Sequence, residues 1–119
     1  MAKDDYFVIV YKVLVYLYAC FKRKIMFDEN TFRNTVRKNV ESDDYFCDIL
    51  QMMQENGLIR GVCFTKAWGE CLLLASDLRD MKITQAGIEY LQDNSKMQKV
   101  GEFLKTTVDA IAQLAALVQ

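Results

Sequence analysis

Apolar and polar residues alternate with a helical period over most of this chain. The clearest case is the segment from residue 42 to 55, whose apolar positions recur at intervals of three and four: Phe46, Ile49, Leu50 and Met53. This spacing places them on one buried face of a helix. Ser42 is a suitable N-cap, and Asn56 followed by Gly57 is a suitable stop. We therefore predict a central helix that Ser42 caps and Asn56-Gly57 ends.

A β-hairpin is predicted after this helix. Residues 58–64 are rich in β-branched and aromatic side chains and predict a strand, residues 65–70 a turn, and residues 71–75 a returning strand, with a short third strand at 82–83. Trp68 lies at the turn, where an exposed side chain would be a candidate contact residue and a packed one would belong to the sheet. A helix that passes through glycine into strands is typical of a winged helix-turn-helix domain after its recognition helix.

The sixteen residues from 6 to 21 form the most apolar stretch of the chain, with Lys12 as their one charged member. Their number favours a helix over a strand, and a helix that is apolar on all sides is normally buried on all sides. A membrane span needs about 20 apolar residues, so this segment is too short. Asp4 and Asp5 stand where a signal peptide carries cations, so we expect no export. The cations at 22–24 suit the negative end of the helix dipole.

A second helix is predicted from the N-cap Asp28 to about residue 39. Its charged strip allows two interpretations. It is either a solvated surface with a favourable Glu29–Arg33 pair, or a surface that contacts the phosphate backbone, which the corresponding helix of a winged-helix domain can cross. In the second case the 22–24 cluster could add to the candidate DNA-contacting residues of this helix and the predicted wing: Arg33, Arg37, Lys38, Lys66 and Trp68.

The central helix turns acidic residues outward. Opposite its apolar face lie Asp44, Asp48, Gln51 and Glu55, and residues 41–55 contain five acids and no lysine or arginine. Duplex DNA is a dense line of negative charge and is normally bound through basic contacts, so insertion of this helix into a groove is disfavoured. Two interpretations remain: a solvated surface without a partner, and a surface that binds a basic protein partner.

The C-terminal region predicts two more helices. Thr84 caps the first, which breaks at Asp93-Asn94, and a capping-box pattern at Ser95 begins the last, 95–119, with a heptad spacing of Met97, Val100, Leu104, Thr107, Ile111, Leu114 and Val118. The end of this helix is too apolar to be left in water. It packs either on the first helix of the same chain or in a homodimer, where first and last helices of two chains share a bundle. We favour the homodimer, with dimerisation residues Val100, Leu104, Ile111, Leu114 and Val118.

The composition narrows the range of functions that the chain could have. The chain has 119 residues, a net charge of −1, four cysteines and no histidine. Its size fits one domain, and its near-zero charge predicts no general attraction to nucleic acid or membrane. Without histidine there is no Ser-His or Cys-His pair, and no Gly-rich phosphate loop occurs, so we expect no enzyme and no cofactor. The cysteines lack C-x-x-C spacing, which predicts no metal and favours free thiols in a reducing cytoplasm.

Three segments resemble the YjcQ family of small winged-helix proteins from Gram-positive bacteria and their phages: residues 11–18, YKVLVYLY; residues 56–61, NGLIRG; and residues 82–91, KITQAGIEYL, with Asn94-Ser95 behind them. The similarity extends to about residue 105. The resemblance implies a winged-helix fold and a phage or prophage setting. It implies no catalytic or ligand-binding residues.

These patterns together predict a single domain over 1–119, of class α+β and mainly α. Residues 1–94 would form a winged helix-turn-helix core with a small antiparallel β-wing, and 95–119 a long additional C-terminal helix. We expect a non-catalytic protein-interaction or regulatory module that acts through its acidic helix face. The alternative is a DNA-binding transcriptional regulator that contacts duplex phosphates through the second helix and the wing.

Overall fold

The first helix forms the centre of the fold. The computed structural model describes residues 5–38, 40, 42–66, 72–74, 78–107 and 109–118. Helix α1, Tyr6–Phe21, is buried over most of its length, as its sequence predicts. Asp5 caps it, since its carboxylate accepts a hydrogen bond from the Phe7 N–H at 3.2 Å. The other helical segments pack around α1. No helix of these ranges combines the length and the apolar character that crossing a membrane requires.

Hydrogen bonds from a tyrosine of α1 hold the start of the second helix. Helix α2, Glu29–Phe32, continues as a π-helical turn, Arg33–Arg37. The Tyr16 hydroxyl accepts a hydrogen bond from the Asp28 N–H at 3.1 Å and donates to the Asp28 carbonyl at 3.2 Å. Asp28 is the N-cap of α2, which confirms the prediction. The Phe32 ring packs edge-on against that of Tyr16, with centroids 5.3 Å apart.

The predicted central helix is confirmed as helix α3, Asp43–Glu55. Ser42 caps it, because its Oγ accepts a hydrogen bond from the Tyr45 N–H at 3.1 Å. All the predicted core positions are buried: Phe46, Ile49, Leu50 and Met53. The helix ends at Asn56, and Gly57 adopts the left-handed conformation with a φ of +76°.

The prediction of one strand over 58–64 is wrong, because Gly61 interrupts it. Strand β1, Ile59–Arg60, stops at this glycine, whose φ of +85° turns the chain. Val62 is then buried and bonded to a helix side chain rather than to a neighbouring strand. Its N–H donates to Oε1 of Gln54 at 2.8 Å, and its carbonyl accepts from Nε2 of Gln54 at 2.7 Å. Both backbone groups of Val62 are thus hydrogen-bonded without pairing to a neighbouring strand.

Two small antiparallel ladders follow from this interruption. Strand β2, Phe64–Lys66, pairs with β3, Leu72–Leu74, which confirms the predicted returning strand. A short 3-10 helix, Leu78–Asp80, leads into β4, Lys82–Ile83, the predicted third strand. Strand β4 pairs with β1, with Ile83 opposite Ile59. The fold is therefore mainly helical with a minor antiparallel β component.

Helix α4, Gln85–Asp93, starts where the prediction places it. Thr84 caps it, and the same hydroxyl donates a hydrogen bond to the Gly57 carbonyl, which ties the start of α4 to the end of α3. The next cap differs from the prediction. Asn94 rather than Ser95 caps the following helix, since the Asn94 side-chain oxygen accepts the N–H of the residue two positions on at 2.9 Å.

The prediction of one long C-terminal helix is wrong. Helix α5, Ser95–Thr107, ends before a separate helix α6, Ala110–Val118. The hydroxyls of Thr106 and Thr107 donate back to carbonyls of their own turn at 2.6 and 3.1 Å, and such bonds compete with helix continuation. Asp109 then caps α6, because its Oδ1 accepts the N–H two residues on at 2.9 Å. The residues with heptad spacing therefore do not lie on one continuous helix.

The predicted dimerisation residues contribute to the core of a single chain. Four are buried and Leu114 is half-buried: Val100, Leu104, Ile111, Leu114 and Val118. Helix α6 packs on α1, and Lys22 at the end of α1 donates from Nζ to the Val118 carbonyl at 3.1 Å. Packing within one chain therefore buries most of the residues that favoured a homodimer. The homodimer itself stays a prediction, which light scattering at micromolar concentration would test.

Candidate interaction site

The outward side of α3 carries three exposed carboxylates. Asp44, Asp48 and Glu55 are exposed, and Gln51 between them is half-buried. We call these four residues the acidic face. Their position follows from the helical period, because burying one face of α3 turns the residues at intervals of three and four on the other side toward solvent. Met52, with 47% of its surface exposed, belongs to the same helix.

The carboxylates of α3 affect the pKa of the buried Cys47 thiol. Burial is the main cause that raises the pKa of this thiol. The carboxylates of Asp43, Asp44 and Asp48 raise the pKa further, because they repel the thiolate, while Arg37 has the opposite effect. The thiolate is the reactive form of cysteine. The alkylation rate of Cys47 is therefore an internal measure of the field at the acidic face.

Replacing Asp44 and Asp48 with lysine is expected to lower the pKa of the Cys47 thiol and to accelerate its alkylation several-fold. The reason is electrostatic: two groups that repel the thiolate become two groups that attract it. Peptide mass spectrometry after timed exposure to iodoacetamide measures the rate. The pair Glu89→Lys and Asp93→Lys, which makes the same charge change on α4, is the control. Equal rates in the two double variants would contradict a field centred on α3.

The arginines of the second helical segment are bonded to nearby oxygen atoms. Arg33 Nη2 lies 3.0 Å from Glu29 Oε1, which confirms the predicted pair. Arg37 donates from Nε and Nη2 to Asp43 Oδ1 at 3.1 and 2.7 Å, and from Nη1 to the Val40 carbonyl at 2.6 Å. A phosphate that bound Arg37 would compete with the Asp43 carboxylate and the Val40 carbonyl, whereas Arg33 uses only Nη2 in its pair with Glu29.

The structure describes the remaining candidate DNA-contacting residues only in part. Lys38 is exposed directly after the π-helical turn. Lys66 belongs to β2 by its backbone, while its side chain and the whole of Trp68 lie outside the described residues. The structure thus brings Arg33, Arg37 and Lys38 together on one segment, with two of the three in ion pairs.

A pocket of about 190 Å³ lies between α2 and α3. Arg37, Asp43 and the Cys47 thiol line it, and the first two are bonded to each other. A raised pKa makes the thiol a poor nucleophile. Cys20 is a free thiol as well. Within the described ranges, no three cysteine or carboxylate side chains come together as a metal site.

Two ion pairs could not be found by helical spacing rules. Arg37 and Asp43 are six residues apart and belong to different helical segments. Lys12 and Asp109 are far apart in sequence, yet Lys12 Nζ lies 3.1 Å from Asp109 Oδ2, with 2% and 17% of the two side chains exposed. A lone lysine inside an apolar helix does signal a counter-charge, because a buried ammonium needs one. The signal does not say which acid supplies it.

These features define a small, mainly helical protein whose central helix presents negative charge to solvent. The family model described as YjcQ protein matches residues 11–110, so the chain belongs to the YjcQ family, as the three similar segments suggested. Comparisons with curated proteins and with solved structures gave no significant match. The matched region ends at the first residue of α6, so nearly all of α6 lies beyond it.

Proposed function

We propose that this protein is a non-catalytic interaction module of winged-helix type that binds a basic protein through its acidic face. The order of elements supports the winged-helix assignment: three helical segments, a left-handed glycine, then short antiparallel strands. In that fold α3 takes the place of the recognition helix. Membership of the YjcQ family supports a phage or prophage setting in Gram-positive bacteria. Free thiols support a reducing cytoplasm.

One observation carries the proposal: the helix in the recognition position exposes Asp44, Asp48 and Glu55. Phosphates approaching these carboxylates would be repelled, whereas a basic protein surface would be attracted. Complementary charge speeds association and suppresses wrong partners, and salt weakens it. The acidic face therefore suits recognition of lysine- and arginine-rich surfaces.

Reversal of these three charges tests the proposal. The variant Asp44→Lys, Asp48→Lys, Glu55→Lys is expected to keep its circular dichroism spectrum, because the side chains are exposed, and to lose capture of its partner from host or phage lysate. The matched control reverses three exposed acids elsewhere: Glu89→Lys, Asp93→Lys and Glu102→Lys. Capture that survives in the first variant, or disappears equally in both, would remove the acidic face as the binding surface.

Duplex DNA binding is the second candidate, favoured by the exposed Lys38 and the surface position of Arg33. Phosphate contacts would make the logarithm of the binding constant fall with the logarithm of salt concentration by about 0.9 per contact. Fluorescence anisotropy with a labelled duplex measures this slope. The acidic-face proposal expects no binding at low salt. A steep slope that is reduced in Arg33→Gln, Lys38→Gln would instead assign DNA binding to the π-helical turn after α2.

A further inference from the structure

The turn after α1 combines exposed cations with exposed apolar side chains. Residues 21–26, which we call the basic tip, contain Lys22, Arg23 and Lys24 in succession and no acid. Phe21 before them is 64% exposed, and Met26 after them is 90% exposed. Large apolar side chains are normally withdrawn from water, so two of them beside three cations form an unusual surface.

The end of α6 extends this surface. Lys22 donates from Nζ to the Val118 carbonyl and lies over the Tyr18 ring, 5.3 Å from its centroid. Leu117, the residue before that carbonyl, is 54% exposed. Three of the four large hydrophobic residues that are exposed in the described part of the chain therefore belong to this end. The fourth, Met52, lies on α3 and provides a control.

A basic pocket lies next to the tip. It encloses about 230 Å³, and Phe21, Arg23, Arg79 and Lys82 are among the residues that line it. Lys82 is also paired across the β1–β4 ladder with Arg60, and both residues are exposed. Asp80, between Arg79 and Lys82, brings a carboxylate to the same segment. Positive charge is thus concentrated at one end of a chain whose net charge is −1.

Arg23 holds a backbone conformation that glycine would adopt more readily. Its φ is +59°, and among the described residues it is the one non-glycine residue with a positive φ. The turn closes with hydrogen bonds from the Arg23 N–H to the Cys20 carbonyl at 3.1 Å and from the Lys24 N–H to the Ala19 carbonyl at 2.9 Å. Glycine is the usual residue at this position of a helix end. A strained residue at such a site points to a use for its side chain.

We infer that the basic tip binds the surface of anionic lipid membranes. The cations meet the headgroup phosphates, while Phe21 and Met26 enter the interfacial region between headgroups and acyl chains. Nucleic acid would also satisfy the cations, but its backbone offers no apolar layer for Phe21 and Met26. The expectation of no membrane partner was based on net charge, which conceals a local cluster of cations. The inference does not depend on the acidic face.

Vesicle sedimentation with the full chain tests this inference. The protein is expected to bind vesicles of phosphatidylcholine mixed with phosphatidylglycerol, and not vesicles of phosphatidylcholine alone. Replacing Lys22, Arg23 and Lys24 with glutamine should weaken binding on the order of a hundredfold, from about fivefold for each cation. The charge-matched control replaces three exposed lysines of α5 with glutamine: Lys96, Lys99 and Lys105.

Three further variants separate binding from folding. Phe21→Ser with Met26→Ser should weaken vesicle binding, whereas Met52→Ser, which changes an exposed methionine of α3, should not. Arg23→Gly should raise the thermal midpoint and still weaken binding, a combination that a purely structural role for Arg23 would not produce.

Three results would overturn the inference. They are absence of binding to the anionic vesicles, equal loss of binding in the tip and α5 lysine variants, and full binding by the serine double variant. Binding of a labelled duplex that the tip cations support, without vesicle binding, would assign the tip to nucleic acid instead.

Discussion

Replacing Asp109 with alanine is expected to destabilise the fold by about 3–5 kcal/mol. The Asp109 carboxylate is the partner of Lys12, whose side chain is 2% exposed. Without it the ammonium group is left buried in an apolar helix with no opposite charge beside it. The same substitution removes the N-cap of α6. Urea unfolding followed by circular dichroism measures the loss.

Two further variants isolate the charge. Asp109→Asn keeps a side chain that can cap α6 but loses the negative charge, so it should remain strongly destabilised. Adding Lys12→Met to Asp109→Asn removes both charges, and stability should return to near the wild-type value, because replacing a whole buried pair with apolar groups is often neutral or stabilising. A double variant as unstable as Asp109→Asn would contradict the unpaired ammonium as the cause.

Gly61→Ala is expected to cost about 2–5 kcal/mol, whereas Gly57→Ala should cost about 1–2 kcal/mol. Both glycines have a positive φ, so both substitutions force alanine into the left-handed region. The two sites differ in space. A Cβ on Gly61 would overlap the Asp80 carbonyl oxygen, and one on Gly57 would meet nothing within 4 Å. The pair therefore separates backbone strain from steric overlap.

The midpoints of urea unfolding for the two alanine variants measure this difference. Gly61 is the point where the chain leaves the β1–β4 ladder, so an overlap there must move either β1 or the segment that leads into β4. Equal destabilisation at the two positions would mean that the Asp80 segment moves aside at little cost. The steric overlap at Gly61 would then add nothing to the cost of backbone strain.

The sequence predicted the features that depend on local signals. Ser42, Asp28 and Thr84 each stand at an N-cap, where a side-chain oxygen reaches a backbone N–H within its own helix turn. The buried face of α3 follows from the period of the helix alone. The outward position of the acidic face follows from the same period. These predictions needed no knowledge of what α3 packs against.

The features that the sequence did not predict depend on distant parts of the chain. The interruption at Gly61 relies on Gln54, which bonds to both backbone groups of the next residue, Val62. The end of α5 combines local threonine bonds with the pairing of Asp109 and Lys12 across the core. Neither partner can be chosen from spacing, since several other acids and amides were available.

The burial of α1 has a consequence for synthesis on the ribosome. Its C-terminal turn is bonded to the end of α6 across 96 residues of chain. At about 5–20 residues per second, roughly 5–20 s pass between the emergence of α1 from the ribosome and the emergence of α6. During that interval the apolar helix α1 cannot yet pack against α6. Contacts of such long range form late in folding. Ribosome-associated chaperones that bind apolar stretches are therefore expected to bind this chain early and to release it only once α6 has emerged.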